Sequence, residues 1–182
     1  MKAASINVVI TGTSGTGKTT LIDHLRDRGH ETFGEPTRLI LSQQLAANGL
    51  GLPSRDPSRF LNLMLDYCLR SLDHANATSL GAVFFDRGIP DIVAYADRFN
   101  IDRQPFVNAA ISHRYSERVF VLPPWREIFV TDDFRGRTFE EYAVFHELIT
   151  NAYQALGYQL VNVPFAPVEE RVNFVLSEAL KL

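Results

Sequence analysis

Short apolar runs and longer amphipathic segments alternate along the whole chain. Five runs rich in β-branched or aromatic residues predict β-strands, and these runs lie at residues 6–11, 32–33, 83–85, 119–122 and 160–163. The segments between them repeat their apolar residues with the period of an α-helix. This alternation predicts an α/β fold with three layers, in which a five-stranded parallel sheet carries helices on both faces.

Three helical segments carry apolar stripes that mark their buried sides. Their apolar residues recur every three or four positions, which predicts helices that pack on the sheet. The stripes consist of Leu61, Met64, Leu65, Cys68 and Leu72, of Phe139, Tyr142, His146, Ile149, Tyr153 and Leu156, and of Val168, Val172, Val175 and Ala179.

Composition limits the classes of protein to consider. Of the 182 residues, 46% are hydrophobic and 21% are charged, which is enough apolar material for the core of one domain. No repeat, low-complexity tract or linker divides the chain. We therefore expect a single domain over residues 1–182. The formal net charge of -3 argues against a protein that coats nucleic acid polymers.

Cysteine content and the termini suggest a compartment. Cys68 is the one cysteine, so neither an internal disulfide nor a cysteine-rich metal site is expected. The first strand begins at Ile6, which leaves no room for a signal peptide before it. No apolar run approaches the roughly 20 residues of a membrane span. We expect a soluble cytoplasmic protein without a membrane partner, and the sequence allows a homodimer.

Residues 12–19 match the pattern GxxxxGK(S/T) of a phosphate-binding loop, the Walker A motif, between a strand and a helical segment. Glycines there let the backbone turn so that successive N–H groups surround the nucleotide phosphates. Lys18 adds a positive charge for catalysis, and the Thr19 hydroxyl can bind Mg²⁺. A chance Gly-rich turn rarely matches the whole pattern. The residues expected to bind the nucleotide are Gly12, Thr13, Ser14, Gly15, Thr16, Gly17, Lys18, Thr19 and Thr20.

Asp86 ends the apolar run 82–86 and is followed by Arg87. P-loop proteins carry at this position an acid that holds Mg²⁺ directly or through water. We therefore predict that Thr19 and Asp86 bind the metal and that Asp86 and Arg87 take part in catalysis. The alternative for Asp86 is a carboxylate that caps the turn into the next helix.

Two short motifs carry a resemblance to known families. The Asp86-Arg87 segment resembles that of thymidylate kinases and, more loosely, of deoxynucleoside kinases, although residues 88–90 differ from the aromatic or Ser usual there. The sequences Gly34-Glu35-Pro36-Thr37-Arg38 and Asp86-Arg87-Gly88-Ile89-Pro90-Asp91 resemble the GEPxR and DRGxPD motifs of small P-loop AAA-domain ATPases or kinases. This similarity runs from Ile6 to Leu176 and implies a P-loop NTPase fold of the nucleoside- and nucleotide-kinase type.

The same resemblance implies residues for a phosphoryl acceptor. Glu35 corresponds to an acceptor-side carboxylate or a structural turn in those kinases, and Arg87 faces the acceptor. A carboxylate suits a hydroxyl acceptor, whereas an arginine such as Arg38 suits an acceptor phosphate. The alternatives are an exposed loop acid for Glu35 and a surface charge at a helix start for Arg38. Phe60, Met64 and Tyr67 are candidates for an acceptor wall, but core positions are favoured.

Residues 123–138 are expected to form a lid after the fourth strand. Arg135 and Arg137 flank a glycine and can reach the charge of a transferring phosphoryl group as catalytic residues. The alternative is a solvated loop in which both arginines pair with neighbouring aspartates. Thr138 and Glu141 have the spacing of a capping box, which predicts the start of the next helix.

These features predict two functions. The first is an Mg²⁺-dependent small-molecule kinase, whose partners are ATP and a small acceptor such as a nucleoside or nucleotide. The second is an ATPase that acts as a nucleotide-dependent switch regulated by a partner. The Asp86-Arg87 pair and the lid arginines favour the kinase. The guanine-selecting pattern NKxD is absent from the sequence, so ATP is favoured over GTP. Residues 163–167 are either an adenine contact or a tight turn.

Overall fold

Five parallel strands form one sheet in the order β2-β3-β1-β4-β5. The structure is a computed structural model that describes residues 5–78, 81–129, 138–179 and 181. The strands are β1 (Ile6–Thr11), β2 (Glu31–Phe33), β3 (Ala82–Asp86), β4 (Arg118–Val121) and β5 (Gln159–Asn162). All five predicted strands are therefore present, with ends that differ by at most one residue.

Helices connect the strands along the described chain. They are α1 (Lys18–Asp27), α2 (Pro36–Ala46), α3 (Pro57–Thr78), α4 (Ile89–Phe99), α5 (Gln104–Ser112), α6 (Phe139–Ala155) and α7 (Val168–Ala179), with a short 3₁₀ helix at Arg126–Ile128. The connection from β3 to β4 forms two helices because Asn100 ends α4 with a left-handed φ of 54°. Asn tolerates this conformation better than most residues.

Both faces of the sheet are buried, as expected for a parallel sheet. Val8 and Ile10 of β1 point to a core formed with α1 and α7, whereas Val9 points to a larger core with α3, α4 and α6. The predicted stripes of α3 and α7 lie in these two cores, and Cys68 is buried. The predicted three-layer α/β fold is confirmed.

The topology places the candidate chemistry at one edge of the sheet. β1 is the central strand, and the strand order continues from it to β3 on one side and to β4 on the other. Ligands of such sheets bind at the carboxyl ends of the strands where the order reverses. The loop after β1 and the residues that end β3 both lie there. Among the described residues, no helix is both long enough and apolar enough to cross a bilayer.

Candidate active site

Two glycines of the phosphate-binding loop have conformations that other residues disfavour. Gly12 has a φ of 137°, and a Cβ atom there would lie 2.4 Å from the carbonyl oxygen of Leu122. Gly17 caps α1 with a φ of 83°, and a Cβ atom would lie 2.8 Å from a guanidinium nitrogen of Arg171. Both positions therefore favour glycine, because the loop passes close to Leu122 after β4 and to Arg171 of α7.

The loop forms one wall of a cavity of about 290 Å³, which we call the phosphate cavity. Its lining includes the amino end of α1, where backbone N–H groups and the helix dipole favour an anion. The lining residues are Ser14, Gly15, Gly17, Lys18, Thr19, Thr20, Glu35, Arg38 and Ile128. Of the predicted nucleotide-binding residues, Gly12, Thr13 and Thr16 lie in the loop but do not line this cavity.

Lys18 is buried within the loop that it is expected to serve. Its ammonium group donates to the carbonyl oxygen of Thr13 at 2.7 Å, and the Thr16 hydroxyl donates to the same oxygen at 3.0 Å. Burial, together with the positive charge of Arg87, lowers the pKa of Lys18 to about 8, although nearby carboxylates oppose this. The charge of Lys18 is therefore costly without an anionic ligand, and a nucleotide phosphate would stabilise it.

Asp86 ends β3 beside Ile10 of β1, with its side chain buried. Among the described residues, its Oδ1 atom has no hydrogen-bond partner. Burial raises the pKa of Asp86 to about 6, with Glu35 adding to the increase and Lys18 opposing it. A buried carboxylate oxygen without a donor fits a cation ligand.

Thr19 shares a second cavity with Asp86. This cavity has a volume of about 400 Å³ and lies between α1 and α2, so we call it the α1–α2 cavity. Hydroxyl and carboxylate oxygens are ligands that suit Mg²⁺, which usually completes its shell with phosphate and water. The described part of the chain contains no group of three or more His, Cys, Asp or Glu residues that could hold a metal alone. The residues therefore fit a magnesium ion that binds together with a nucleotide.

Arg87 is buried and pairs with Glu35. Its Nε donates to the Glu35 carboxylate at 3.0 Å, and one terminal nitrogen donates to the Gly12 carbonyl oxygen at 2.8 Å and to Asp91 at 3.4 Å. The backbone φ of Arg87 is 77°, while its amide donates to the carbonyl oxygen of Ile10. A bulky residue rarely adopts this conformation, so the surrounding contacts must hold it.

Asp91 organises this corner of the site, which the sequence reasoning missed. Its carboxylate accepts hydrogen bonds from the Thr11 hydroxyl at 2.5 Å, the Tyr153 hydroxyl at 2.6 Å and the amide of Gly88 at 2.9 Å. Arg87 is its fourth donor. Asp91 therefore connects β1, α6 and the start of α4 to the guanidinium group. The Asp at the third position of α4 was visible in the sequence, but its partners were not.

Glu35 and Arg38 differ in their surroundings. Burial alone would raise the pKa of Glu35, but the positive charges of Arg87 and Lys18 outweigh it and lower this pKa to about 2. Glu35 is thus ionised at any physiological pH. Arg38 is exposed in α2 and lines both the phosphate cavity and the α1–α2 cavity. The structure therefore brings Lys18, Asp86, Arg87 and Glu35 together and leaves Arg38 at the edge.

Two aromatic rings lie next to the phosphate-binding loop. The rings of Trp125, which follows β4, and Phe165, which follows β5, have centroids 5.2 Å apart. The Arg171 guanidinium lies 5.6 Å from the Trp125 ring centroid and donates to the carbonyl oxygen of Thr16 at 3.4 Å. These residues form an apolar surface next to the loop, with 58% of Phe165 exposed. Residues 163–167 were predicted from the sequence as a candidate contact, whereas Arg171 was not.

A third cavity begins at Ser14 and extends between four helices. We call it the aromatic cavity because five of its lining residues are Phe60, Tyr95, Phe99, Tyr142 and Phe145, and its volume is about 310 Å³. Thr37 and Leu41 of α2 and Arg98 of α4 also line it. Of the three residues proposed as an acceptor wall, Phe60 lies here, Met64 lies in the core, and Tyr67 lines the α1–α2 cavity.

The end of the expected lid is visible, whereas its arginines are not described. The Glu141 amide donates to the Thr138 hydroxyl at 3.2 Å, and the Thr138 amide donates to the Glu141 carboxylate at 2.8 Å. This confirms the capping box at the start of α6. Arg135 and Arg137 lie outside the described residues, so their roles stay predictions.

Comparisons with known proteins agree with this fold. The family model described as an AAA domain matches residues 7–171. No curated protein shows a significant match to the sequence. The NadR protein in complex with NR is a similar solved structure, with 20% sequence identity and a TM-score of 0.71 over 97% of this chain and 50% of that chain. The chain therefore spans about half the length of NadR.

Two kinases share the fold over almost their whole length. Deoxyadenosine kinase from M. mycoides is 18% identical, with a TM-score of 0.57 over 97% of this chain and 100% of that chain. Thymidylate kinase from Candida albicans is 14% identical, with a TM-score of 0.61 over 100% of this chain and 93% of that chain. At these identities the similarity establishes a P-loop fold like that of nucleoside and nucleotide kinases.

Proposed function

The chain belongs to the AAA domain family, and we propose that it is an ATP-dependent phosphotransferase that transfers the γ-phosphoryl group of ATP to a small acceptor. The observation that carries this proposal is that the phosphate cavity and the aromatic cavity share Ser14. An ATPase that uses water as its acceptor needs no second cavity beside its phosphates. A kinase needs one of about this size for its second substrate.

The loop and its lysine bind the nucleotide phosphates in this proposal. Backbone N–H groups of the loop and the end of α1 surround the phosphates, and Lys18 exchanges the Thr13 carbonyl for a phosphate oxygen. The base of the nucleotide, which is expected to be ATP, would lie on the apolar and cationic surface of Trp125, Phe165 and Arg171. Mg²⁺ held by Thr19 and Asp86 would neutralise charge on the β- and γ-phosphates.

Arg87 and Glu35 position the acceptor. Arg87 is held in one geometry by Glu35, Asp91 and the Gly12 carbonyl, and it fixes Glu35 in turn, so little entropy is lost when Glu35 contacts a substrate. Most catalysis of phosphoryl transfer comes from such positioning and from charge stabilisation. From the sequence, we propose that Arg135 and Arg137 add positive charge over the transferring group.

Mass spectrometry of a reaction with mixed metabolites tests this function. The protein is incubated with Mg-ATP and a pooled metabolite extract, and a new phosphorylated species is expected. The Lys18→Ala variant is the control, and its turnover should fall by about 10²-fold or more while its circular dichroism spectrum is unchanged. Equal product formation by wild type and variant would contradict the proposal. Formation of only ADP and phosphate, at a rate raised by a protein partner, would favour the switch.

A further inference from the structure

We propose that the aromatic cavity is the acceptor pocket and that it takes an uncharged alcohol carrying a planar aromatic ring, as a nucleoside does, rather than a phosphorylated acceptor. This inference rests on the proposed phosphotransferase function and specifies its second substrate. It is carried by the position of the cavity, by the chemistry of its walls and by the charges at its two ends.

The position of the cavity suits an acceptor that reaches the phosphates with one end. Ser14 of the phosphate-binding loop lines both the aromatic cavity and the phosphate cavity. Thr37, at the start of α2, lies two residues from Glu35 and adds a second hydroxyl to the cavity wall. A hydroxyl group of a ligand in this cavity could therefore approach the γ-phosphate beside Ser14.

The walls favour a flat apolar ring. Phe60 and Phe145 are buried, whereas Phe99 is half-buried, and the rings that line the cavity come from α3, α4 and α6. Aromatic rings prefer offset-stacked or edge-to-face contacts with other rings, which contribute beyond the area that they bury. A purely aliphatic alcohol or a free sugar would bring no ring to pack against these aromatic side chains.

Arg98 marks the far end of the cavity. It stands nine residues after Ile89 in α4, so a rise of 1.5 Å per residue places it about 14 Å along the helix from its start. Its guanidinium lies 4.3 Å from the Phe145 ring centroid. This half-buried group can donate to the polar edge of a ring seated between the aromatic side chains.

The charges at the near end disfavour a phosphate on the acceptor. Glu35 lines the neighbouring phosphate cavity, and the buried Arg87 behind it lines none of the three cavities and already pairs with Glu35 and Asp91. Asp86 adds a third carboxylate to this corner. An acceptor phosphate would therefore approach carboxylates without an unpaired buried arginine, whereas a neutral hydroxyl can donate a hydrogen bond to Glu35.

The transfer step is balanced in this arrangement. The acceptor oxygen forms a bond to the γ-phosphorus, and the bond from that phosphorus to the β,γ-bridging oxygen breaks, so that its electron pair leaves with ADP. The hydroxyl proton passes to Glu35 and then to solvent. Glu35 is a weak base, which suits a loose transition state in which little charge develops on the attacking oxygen.

The α1–α2 cavity is the competing location. It is lined by Thr19 and Asp86, which this account assigns to the metal, and by the ion pair between Asp23 and Arg26 on α1. None of its described lining residues is a phenylalanine or tryptophan. Leu39 and Leu41 of α2 face the two different cavities, which allows a matched comparison on one helix.

The experiment measures product formation with a defined panel of acceptors. Nucleosides, their 5′-monophosphates, ribose and glycerol are each incubated with Mg-ATP and the wild-type protein, Leu41→Trp, Leu39→Trp or Arg98→Gln. At least one nucleoside should be phosphorylated by wild type. Leu41→Trp, which fills the aromatic cavity, should lower kcat/KM for it by about 100-fold, and Arg98→Gln should raise KM about tenfold at similar kcat. Leu39→Trp should change either value by less than about threefold.

Each other outcome overturns a distinct statement. Phosphorylation of a monophosphate or of a ring-free alcohol, with nucleosides unchanged, would reject the substrate class but keep the phosphotransferase function. A larger loss in Leu39→Trp than in folded Leu41→Trp would move the acceptor to the α1–α2 cavity. If circular dichroism shows that Leu41→Trp does not fold, Arg98→Gln provides the test. An unchanged KM in that variant would reject the aromatic cavity as the acceptor pocket. ADP and inorganic phosphate with every acceptor would reject the proposed function itself.

Discussion

At the residue scale, Asp86 is a candidate metal ligand whose burial lowers the free energy of unfolding when its carboxylate is ionised. Its carboxylate is buried at the end of β3, its Oδ1 has no hydrogen-bond partner among the described residues, and its pKa is raised to about 6. The folded protein therefore binds this proton more tightly than the unfolded chain does. Consequently, the contribution of Asp86 to the free energy of unfolding decreases as pH rises from about 4 through 6.

The Asp86→Asn variant should remove that pH dependence. We expect the free energy of unfolding of the variant, relative to wild type, to increase by about 1–3 kcal/mol between pH 4 and pH 7, because only wild type ionises a buried carboxylate. Urea unfolding followed by circular dichroism across this range measures the difference. A difference that stays constant with pH would show that Asp86 is not destabilised by its surroundings.

Asp91 is the opposite case, a buried carboxylate with four donors. The Asp91→Asn variant should lose about 3 kcal/mol of stability, because it removes one charge of a buried pair and leaves donors without an acceptor. Tyr153→Phe is the milder comparison, since it deletes one hydroxyl and keeps the ring, and should cost about 1 kcal/mol. Equal losses in chemical denaturation would argue against a charge-holding role for Asp91.

Residue roles could be predicted from the sequence only where a local motif fixes them. The residues of the phosphate-binding loop are contiguous, and the loop lies between β1 and α1 as predicted, while the roles of its residues in nucleotide binding stay predictions. Asp91 instead contacts Thr11, which lies 80 positions before it in the chain, and Tyr153, which lies 62 positions after it. Arg171 meets the loop across 155 positions. Spacing along the chain contains no information about such contacts, so both residues were missed.

At the element scale, the strand positions were more predictable than the connections. β-branched and aromatic runs buried on both faces identify parallel strands regardless of what connects them. The capping box of α6 was predictable because it depends on two residues, Thr138 and Glu141. In contrast, the α4–α5 junction depends on the left-handed conformation of Asn100, which a hydrophobic pattern does not report.

The segments after β4 and β5 meet beside the phosphate-binding loop, which gives a test through Trp125. Because Trp125 is the only tryptophan in the chain, its fluorescence reports on this surface alone. Adding Mg-ATP should shift or quench its emission, since a base stacked near Phe165 changes the environment of the indole ring. A calorimetric binding isotherm without any change in Trp125 emission would place the base elsewhere. Phe165→Ala should weaken binding about tenfold while keeping the Lys18 contacts.

At the scale of the whole molecule, the sheet separates two hydrophobic cores that support different parts of the site. α1 and α7 hold the phosphate-binding loop from one face, whereas α3, α4 and α6 surround the aromatic cavity on the other. The edge between them brings Lys18, Asp86 and Arg87 to the junction. The cavity could not be predicted from the sequence, because its walls come from four helices and its phenylalanines look like ordinary core residues.

The central claim is that the phosphoryl group goes to a bound acceptor and not to water. The most direct test runs the wild-type reaction with Mg-ATP and the identified acceptor in water enriched in ¹⁸O, followed by mass spectrometry of all phosphorylated products. The account predicts one phosphorylated acceptor per ADP, without ¹⁸O in its new phosphoryl group. If instead ¹⁸O-labelled inorganic phosphate accounts for all the ADP, water is the acceptor and the protein is an ATPase.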